Sequence, residues 1–110
     1  MVSLVVVVLH RPEDALLLSS PGTIRFRFHA RDLHLVLGSA SSGRPVRFRV
    51  LLDGAAPLDD RGGDVDADGT GLGTGHRLYQ LIRQRGPIED RTFEIQFLDP
   101  GVEAFAFTFG

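Results

Sequence analysis

Two segments near the end of the 110-residue chain alternate between large apolar residues and smaller or polar ones. The first runs from Thr92 to Leu98 and the second from Val102 to Phe109. Because successive side chains of a strand point to opposite faces of its sheet, each segment predicts a β-strand with one buried face. Between them, Asp99-Pro100-Gly101 places proline and glycine where a tight turn needs them. The pattern predicts an antiparallel hairpin whose last strand is an exposed edge of its sheet.

Composition limits the class of protein. A chain of this length forms one domain with a single core. Hydrophobic residues make up 43% and charged residues 24%, which is the balance of a globular domain and not of a disordered chain. With a net charge of -2, no nucleic-acid partner is expected. Because cysteine is absent, the chain can form no disulfide, no reactive thiol and no thiolate metal site.

The rest of the chain consists of short apolar stretches separated by turn residues. No segment keeps an apolar face at the helical period of 3.6 for three turns. The predicted strands are Leu4–Leu9, Ala15–Leu18, Thr23–His29, Leu33–Leu37, Val46–Leu52, Arg77–Arg83, Thr92–Leu98 and Val102–Phe109. The glycine-rich stretch from Gly62 to Gly75 is interpreted as turns. This pattern predicts an all-β fold, an antiparallel β-sandwich of the jelly-roll kind.

The apolar positions change phase between two of these strands. Even-numbered residues are apolar from Ile24 to Phe28, whereas odd-numbered residues are apolar from Leu33 to Leu37. A shift of one residue within Ala30-Arg31-Asp32 indicates either a β-bulge or a corner at which the chain changes sheets.

The apolar run Val2–Leu9 is the one candidate for a targeting segment. No basic residue precedes it, no small-residue cleavage site follows it, and it is far shorter than the about 20 residues of a membrane-spanning helix. We therefore expect no membrane span and, by default, a cytoplasmic location. Residues 1–12 are interpreted as an atypical segment, either an extra strand or a non-native start, and residues 13–110 as a single β-sandwich module.

Four blocks of the chain carry a resemblance to a known family. Phe28–Gly38, Asp64–Gly71, Arg77–Arg83 and Phe93–Gly110 resemble the C-terminal module of DipZ-type thioredoxin-like proteins, over residues 13–110. In that family a thioredoxin domain, sometimes behind a cytochrome c biogenesis-type membrane domain, precedes a β-sandwich similar to carbohydrate-binding modules. The thioredoxin domain and its cysteines are missing here. The resemblance therefore implies a redox-associated accessory module, which would be extracytoplasmic within a longer parent protein.

Tyr79, Gln80 and Arg83 are the first candidate ligand-binding residues. An aromatic ring can stack on sugar C–H groups while amide and guanidinium groups bond the hydroxyls. The chain has no Trp and only this one Tyr, however, so its aromatic surface is small. The alternative is a structural role in which the tyrosine hydroxyl bonds the backbone.

Basic residues alternate with apolar ones in two predicted strands. They are Arg25, Arg27, His29, Arg47 and Arg49. If the two strands are neighbours, these side chains share one face, which would bind an acidic partner, an anionic sugar or another domain. The alternative is a solvated face whose charges pair across the sheet with Glu94, Gln96 and Glu103.

Asp64-x-Asp66-x-Asp68-Gly69 matches the opening of a calcium loop, in which alternate carboxylates converge on the ion. The twelfth loop position, which should be a bidentate glutamate, is Gly75. We therefore expect no bound metal, with calcium as the alternative to a polar glycine turn.

The segment His29-x-Arg31-Asp32-x-His34 contains groups that could form a metal site or a His–Asp pair, but nothing else in the sequence completes one. Arg31 and Asp32 are expected to satisfy backbone groups at the bulge. No serine lies in a nucleophile-elbow motif either.

These observations favour a non-enzymatic binding module without a cofactor. In one hypothesis it binds carbohydrate and positions a redox partner, with Tyr79, Gln80, Arg83 and the basic face lining a groove. In the other it is a protein-interaction domain that docks on a thioredoxin domain or forms a dimer.

Overall fold

The computed structural model describes residues 7–8, 16–18, 22–38, 44–99 and 102–110, and most of these residues are in β-strands. The strands are β1 (Val7–Val8), β2 (Leu16–Leu18), β3 (Gly22–Phe28), β4 (Asp32–Leu37), β5 (Val46–Leu52), β6 (Thr70–Gly73), β7 (Arg77–Arg83), β8 (Arg91–Phe97) and β9 (Val102–Phe109). A single 3-10 turn, Leu58–Asp60, is the one helical element in this part of the chain. No helix among the described residues is long and apolar enough to cross a bilayer.

The strands form two antiparallel sheets that enclose one core. Sheet A has the order β1-β9-β4-β7, with β2 also pairing with β9, and sheet B has the order β3-β8-β5-β6. Inward side chains from both sheets make up a single hydrophobic cluster. The predicted all-β, antiparallel sandwich is confirmed.

Aromatic rings fill the centre of this core. Phe26 of sheet B meets Phe107 of sheet A edge-to-face, with ring centroids 4.8 Å apart. Phe93 lies 5.8 Å from the same Phe107 ring, also edge-to-face. Such geometries add to the stabilisation from burial alone, because the positive edge of one ring faces the negative face of the other.

The predicted hairpin of the last two strands is wrong. β8 lies in sheet B between β3 and β5, whereas β9 lies in sheet A beside β4. The Phe93 and Phe107 rings therefore meet across the core and not side by side. Pro100 and Gly101, on which the turn prediction rested, lie outside the described residues. The prediction of an exposed last strand is also wrong, since β9 has β4 on one side and β1 and β2 on the other.

The phase change after Phe28 marks a change of sheet, as predicted. β3 belongs to sheet B and β4 to sheet A, so the chain turns the corner of the sandwich between Phe28 and Asp32. A register shift between Leu33 and His34 then follows in the β4–β7 pair.

Strand β6 lies within the glycine-rich stretch that the sequence pattern predicts as turns. β6 pairs with β5, and Gly71 lies directly against the buried Phe48 ring. A Cβ at residue 71 would collide with that ring. The glycine serves close packing here and not a turn, which is why composition alone misled.

The two N-terminal strand predictions fall partly on described residues. Val7–Val8 and Leu16–Leu18 are strands, as predicted, and their pairing with β9 was not predicted. The rest of Leu4–Leu9, Ala15 and the boundary at residues 12 and 13 lie outside the described residues.

Candidate functional site

A groove of about 390 Å³ opens where the loop after Gly62 meets β6. It is lined by Gly63, Asp64, Val65, Asp66, Thr70, Gly71 and Leu72. Asp66 is exposed, and Leu72 keeps 47% of its surface in solvent. The groove therefore offers carboxylate and hydroxyl oxygens next to an apolar side chain.

The loop that forms one wall of the groove is held against the edge of β7. The Gly62 N–H donates to the Leu81 carbonyl at 2.9 Å, and the Asp64 N–H donates to the Gln80 carbonyl at 3.1 Å. A Cβ on residue 62 would collide with the Gln80 carbonyl, so only glycine permits this approach. These bonds satisfy backbone groups that an open edge of sheet A would leave unpaired.

Asp64 is the most firmly held side chain of the groove. Its Oδ1 accepts a hydrogen bond from Arg77 Nη2 at 3.0 Å, and its Oδ2 accepts one from the Gln80 N–H at 2.7 Å. Partial burial acts to raise the pKa of the Asp64 carboxyl. The bonds from Arg77 and Gln80, together with the Arg77 charge, outweigh burial and hold the pKa below its ordinary value. Asp64 is therefore an ionised, anchored acceptor.

The neighbouring aspartates take part in the glycine turn. Asp68 Oδ1 accepts bonds from the Thr70 hydroxyl at 2.7 Å and the Thr70 N–H at 3.0 Å, and these two bonds lower the pKa of Asp68. Both Asp64 oxygens are also used, as described above. Among the described residues no group of three or more His, Asp or Glu side chains could hold a metal ion. The expectation of no bound metal and its calcium alternative both stay predictions.

Tyr79 lies under the surface and cannot stack on a sugar in this structure. Its side chain is fully buried, its hydroxyl donates to the Gly75 carbonyl at 2.8 Å, and the same oxygen accepts the Thr74 N–H at 2.8 Å. The guanidinium of Arg77 lies over the ring. The structural role considered for Tyr79 is the one observed, and the proposed stacking role is corrected.

The other two members of that trio are separate from each other. Gln80 is exposed on β7, and its backbone is bonded to groove residue Asp64. Arg83 is exposed further along β7, where its Nε lies 3.9 Å from an Asp32 carboxylate oxygen. Only Gln80 therefore adjoins the groove.

The two rows of basic residues are not neighbours, because β8 lies between β3 and β5. They share the outer face of sheet B, but much of their charge is balanced. Arg25 Nε donates to Glu94 at 2.8 Å, as the cross-sheet pairing alternative predicted. His29 Nδ1 lies 2.7 Å from an Asp90 oxygen. The side chain of Glu103 lies outside the described part of the chain.

Arg47 is the most strongly paired member of these rows. Its Nε and Nη2 donate to the two oxygens of Asp99 at 3.0 and 2.9 Å. The Asp99 carboxylate also accepts the Arg47 N–H at 2.9 Å. These bonds lower the pKa of Asp99 to about 2.

The segment around Asp32 contains no His–Asp site. His29 pairs with Asp90, and Asp32 Oδ2 accepts bonds from Arg31 at 3.1 and 3.3 Å. The Asp32 backbone groups bond those of Gly110. The expectation that the Arg31 and Asp32 side chains satisfy backbone groups here is therefore wrong, since these two side chains bond each other.

Sequence reasoning missed a buried amide at this same corner of the sandwich. Gln84 is 3% exposed, and its Nε2 donates to the Ala30 carbonyl at 2.9 Å. Its Oε1 accepts a bond from Arg91 at 3.3 Å. No local signal distinguishes this glutamine from an exposed one. The role of Arg77 was missed as well, although its spacing of two from Tyr79 places both on one face of β7.

A model of the family described as thioredoxin like C-terminal domain matches residues 9–110. The chain belongs to this family. No curated protein sequence matches this thioredoxin-like C-terminal domain.

Solved structures of carbohydrate esterases and carbohydrate-binding modules share its fold. The family two carbohydrate esterase from Cellvibrio japonicus superposes with a TM-score of 0.71 and 14% identity, over 99% of this chain and 34% of the esterase. The CBM36-1 domain of a multidomain xylanase from the hindgut metagenome of Trinervitermes trinervoides superposes with a TM-score of 0.54 and 12% identity. The match covers 86% of this chain and 74% of that domain. The carbohydrate-binding module CBM36 in complex with calcium and xylotriose superposes with a TM-score of 0.53 and 13% identity. The match covers 94% of this chain and 86% of that module.

At these identities the likeness shows a common β-sandwich fold. The thioredoxin-like C-terminal domain spans only about a third of the length of the Cellvibrio japonicus esterase.

Proposed function

We propose that this domain is a non-catalytic binding module that takes a neutral carbohydrate chain in the groove of residues 63–72. The observation that carries the proposal is the composition of that groove, where the carboxyl groups of Asp64 and Asp66 adjoin the exposed Leu72. Ionised carboxylates only accept hydrogen bonds, so they suit the hydroxyl donors of a sugar. The apolar side chain suits the C–H surface of the sugar ring.

Asp66 is the side chain best placed to contact the sugar. It is exposed, and among the described residues its carboxylate has one long contact, from the Thr70 hydroxyl at 3.4 Å. Asp64 is already bonded through both oxygens and shapes the groove wall. Because Asp66 is acidic and is not paired with a basic side chain among the described residues, the groove repels a glycan whose backbone is anionic.

The fold likeness supports the same proposal. The CBM36 module is described in complex with xylotriose, and a family two carbohydrate esterase from Clostridium thermocellum in complex with cellohexaose. Xylo- and cello-oligosaccharides are therefore the first ligands to test. The resemblance to DipZ-type proteins adds a second proposed role, in which the module holds a thioredoxin-like redox partner near glycan-bound substrates. Since the chain lacks cysteine, thiol chemistry would belong to that partner.

Isothermal titration of the whole chain with xylohexaose and cellohexaose tests the groove. We expect Asp66→Ala to weaken binding about tenfold, since a hydrogen bond to a charged group is worth about 1.5 kcal/mol or more. Asp59→Ala is the matched control, because it removes an exposed carboxylate from outside the groove. Absence of binding, or equal binding by both variants, would overturn the groove proposal.

The redox-partner role needs its own measurement. Amide shifts in the labelled chain would be followed during titration with a reduced thioredoxin domain of the DipZ type. Shifts on the outer face of sheet B, without any response to glycans, would favour the docking alternative. A concentration-dependent change in mass on a sizing column would favour dimerisation instead.

A further inference from the structure

Strand β6 connects the groove to the outer face of sheet B. In the β5–β6 pair, Arg49 lies opposite Thr70 and Arg47 lies opposite Leu72. Directly opposed residues of antiparallel strands point to the same face of their sheet. Since Thr70 and Leu72 both line the groove, the two arginines stand at its rim.

The two rim arginines differ in what already binds them. The Arg47 guanidinium is bonded to both oxygens of Asp99, so its charge is largely neutralised. The Arg49 side chain is exposed, and it makes no hydrogen bond or ion pair with the residues that the structure describes. Its charge acts on the turn beside the groove, since Arg49 is one of the minor influences that lower the pKa of Asp68. Of the two rim arginines, Arg49 is therefore the one whose guanidinium can bind a ligand.

The charges are arranged in two zones. Inside the groove, the Asp66 carboxylate disfavours an anionic sugar backbone, whereas the charge of Asp64 is balanced by Arg77. On the other side of β6, the guanidinium group of Arg49 is planar and permanently charged, and its N–H donors can bond both oxygens of a carboxylate. A ligand that satisfies both zones has a neutral backbone and an acidic branch that reaches over β6.

We infer that Arg49 makes this module selective for glycans with carboxylate side branches, such as uronic acid substituents on a neutral chain. The inference rests on the proposed function of the groove and names its substrate class. Because the contact lies at an exposed rim, its contribution is modest and salt-dependent. We expect a preference of about threefold to fivefold at low ionic strength.

The test compares two oligosaccharides of equal length in the intact chain. One is unbranched xylohexaose, and the other carries a single glucuronic acid branch. We expect tighter binding of the branched sugar, and we expect the difference to vanish in about 0.5 M NaCl, where the screening length is only a few ångströms. Arg49→Gln should bind both sugars equally, with unchanged affinity for xylohexaose. Arg49→Lys should restore part of the preference because it keeps the charge.

Arg27→Gln is the matched control, since Arg27 lies on the same outer face but on β3, at the opposite edge of sheet B. It should keep the preference. Equal binding of both sugars by the unchanged chain, a preference that survives in Arg49→Gln, or an equal loss in Arg27→Gln would each overturn the inference. In each of those cases xylohexaose still binds and the groove proposal stands. Failure of xylohexaose itself to bind would overturn both.

Discussion

The guanidinium carbon of Arg77 lies 3.8 Å from the centroid of the Tyr79 ring. Asp64 fixes the guanidinium in this position from the groove side. The ring is fully buried, whereas the Arg77 side chain is 47% exposed, so the arginine forms the outer layer over the tyrosine. A cation–π contact at such an exposed site contributes about 0.5–1 kcal/mol.

Arg77→Ala should expose the Tyr79 ring to solvent. Tyr79 is the only tyrosine and the chain has no tryptophan, so intrinsic fluorescence reports on this residue alone. We expect acrylamide to quench the variant more strongly than the unchanged chain, with stability reduced by about 1 kcal/mol. Arg83→Ala, on the same strand, should leave quenching unchanged. Equal quenching of all three proteins would show that other groups cover the ring.

Asp99 should titrate far below its ordinary pKa of 3.8, at about 2. The cause is hydrogen bonding from the Arg47 side chain and N–H, assisted by the Arg47 charge. Since the folded-state pKa is lowered, this carboxylate stabilises the fold at neutral pH, and its contribution is lost as the pH falls from about 4 to about 2. Carboxyl carbon NMR would follow the titration directly.

Arg47→Gln should move the Asp99 titration upward, although not completely, because the backbone N–H at residue 47 still donates. Arg83→Gln is the control and should leave the Asp99 midpoint where it is. Asp99→Asn should make unfolding less sensitive to pH between about 4 and 2. An Asp99 midpoint near its ordinary value in the unchanged chain would contradict the pairing.

Gly62→Ala should destabilise the fold by about 1–3 kcal/mol, the usual cost of forcing extra atoms into a packed site. A Cβ at residue 62 would collide with the backbone carbonyl of Gln80, so the loop would have to move away from β7. Gly86→Ala is the matched control, since nothing lies within 4 Å of its added Cβ. Thermal unfolding of both variants distinguishes the two, and equal melting temperatures would show that the loop is not tightly docked.

Gln84→Leu should destabilise the chain by about 1–3 kcal/mol, because the Ala30 carbonyl loses its side-chain donor in a buried setting. Gln80→Leu makes the same chemical change at an exposed position and should alter stability by no more than about 0.5 kcal/mol. Urea unfolding gives both values. A cost for Gln80→Leu as large as for Gln84→Leu would mean that the buried bond is unimportant.

The sequence predicts most strands but not how the last two are arranged. Period-two alternation shows that β8 and β9 each have an apolar face, and this is equally true of strands side by side and strands face to face. What decides is the contact of Phe93 with Phe107 across the core, which no local pattern reveals. The change of phase before Leu33 was informative because it is a discontinuity within the chain itself.

The candidate site was predictable only in part, because the contacts that shape it come from residues outside the aspartate motif. The aspartates of the loop stand out as a motif, but the partners that fix Asp64 come from β7, 13 and 16 residues later. Those partners hold Asp64 in the wall of the groove. The burial of Tyr79 likewise depends on Arg77 and on the turn at Gly75, so residue type alone left a ligand-binding role and a structural role both open.

The alternation of the chain between sheets has a consequence for how the domain folds. Among the described strands, β5 and β6 are the only consecutive ones that pair with each other. Sheet A cannot be completed until β9 pairs with β4 and with the N-terminal strands β1 and β2. β9 and these N-terminal strands come from opposite ends of the described chain. Nearly every strand pairing must close a long loop, and the entropy of that loop is lost before the paired strands gain stabilising contacts. The two sheets should therefore form together in one slow step, on the order of milliseconds to seconds.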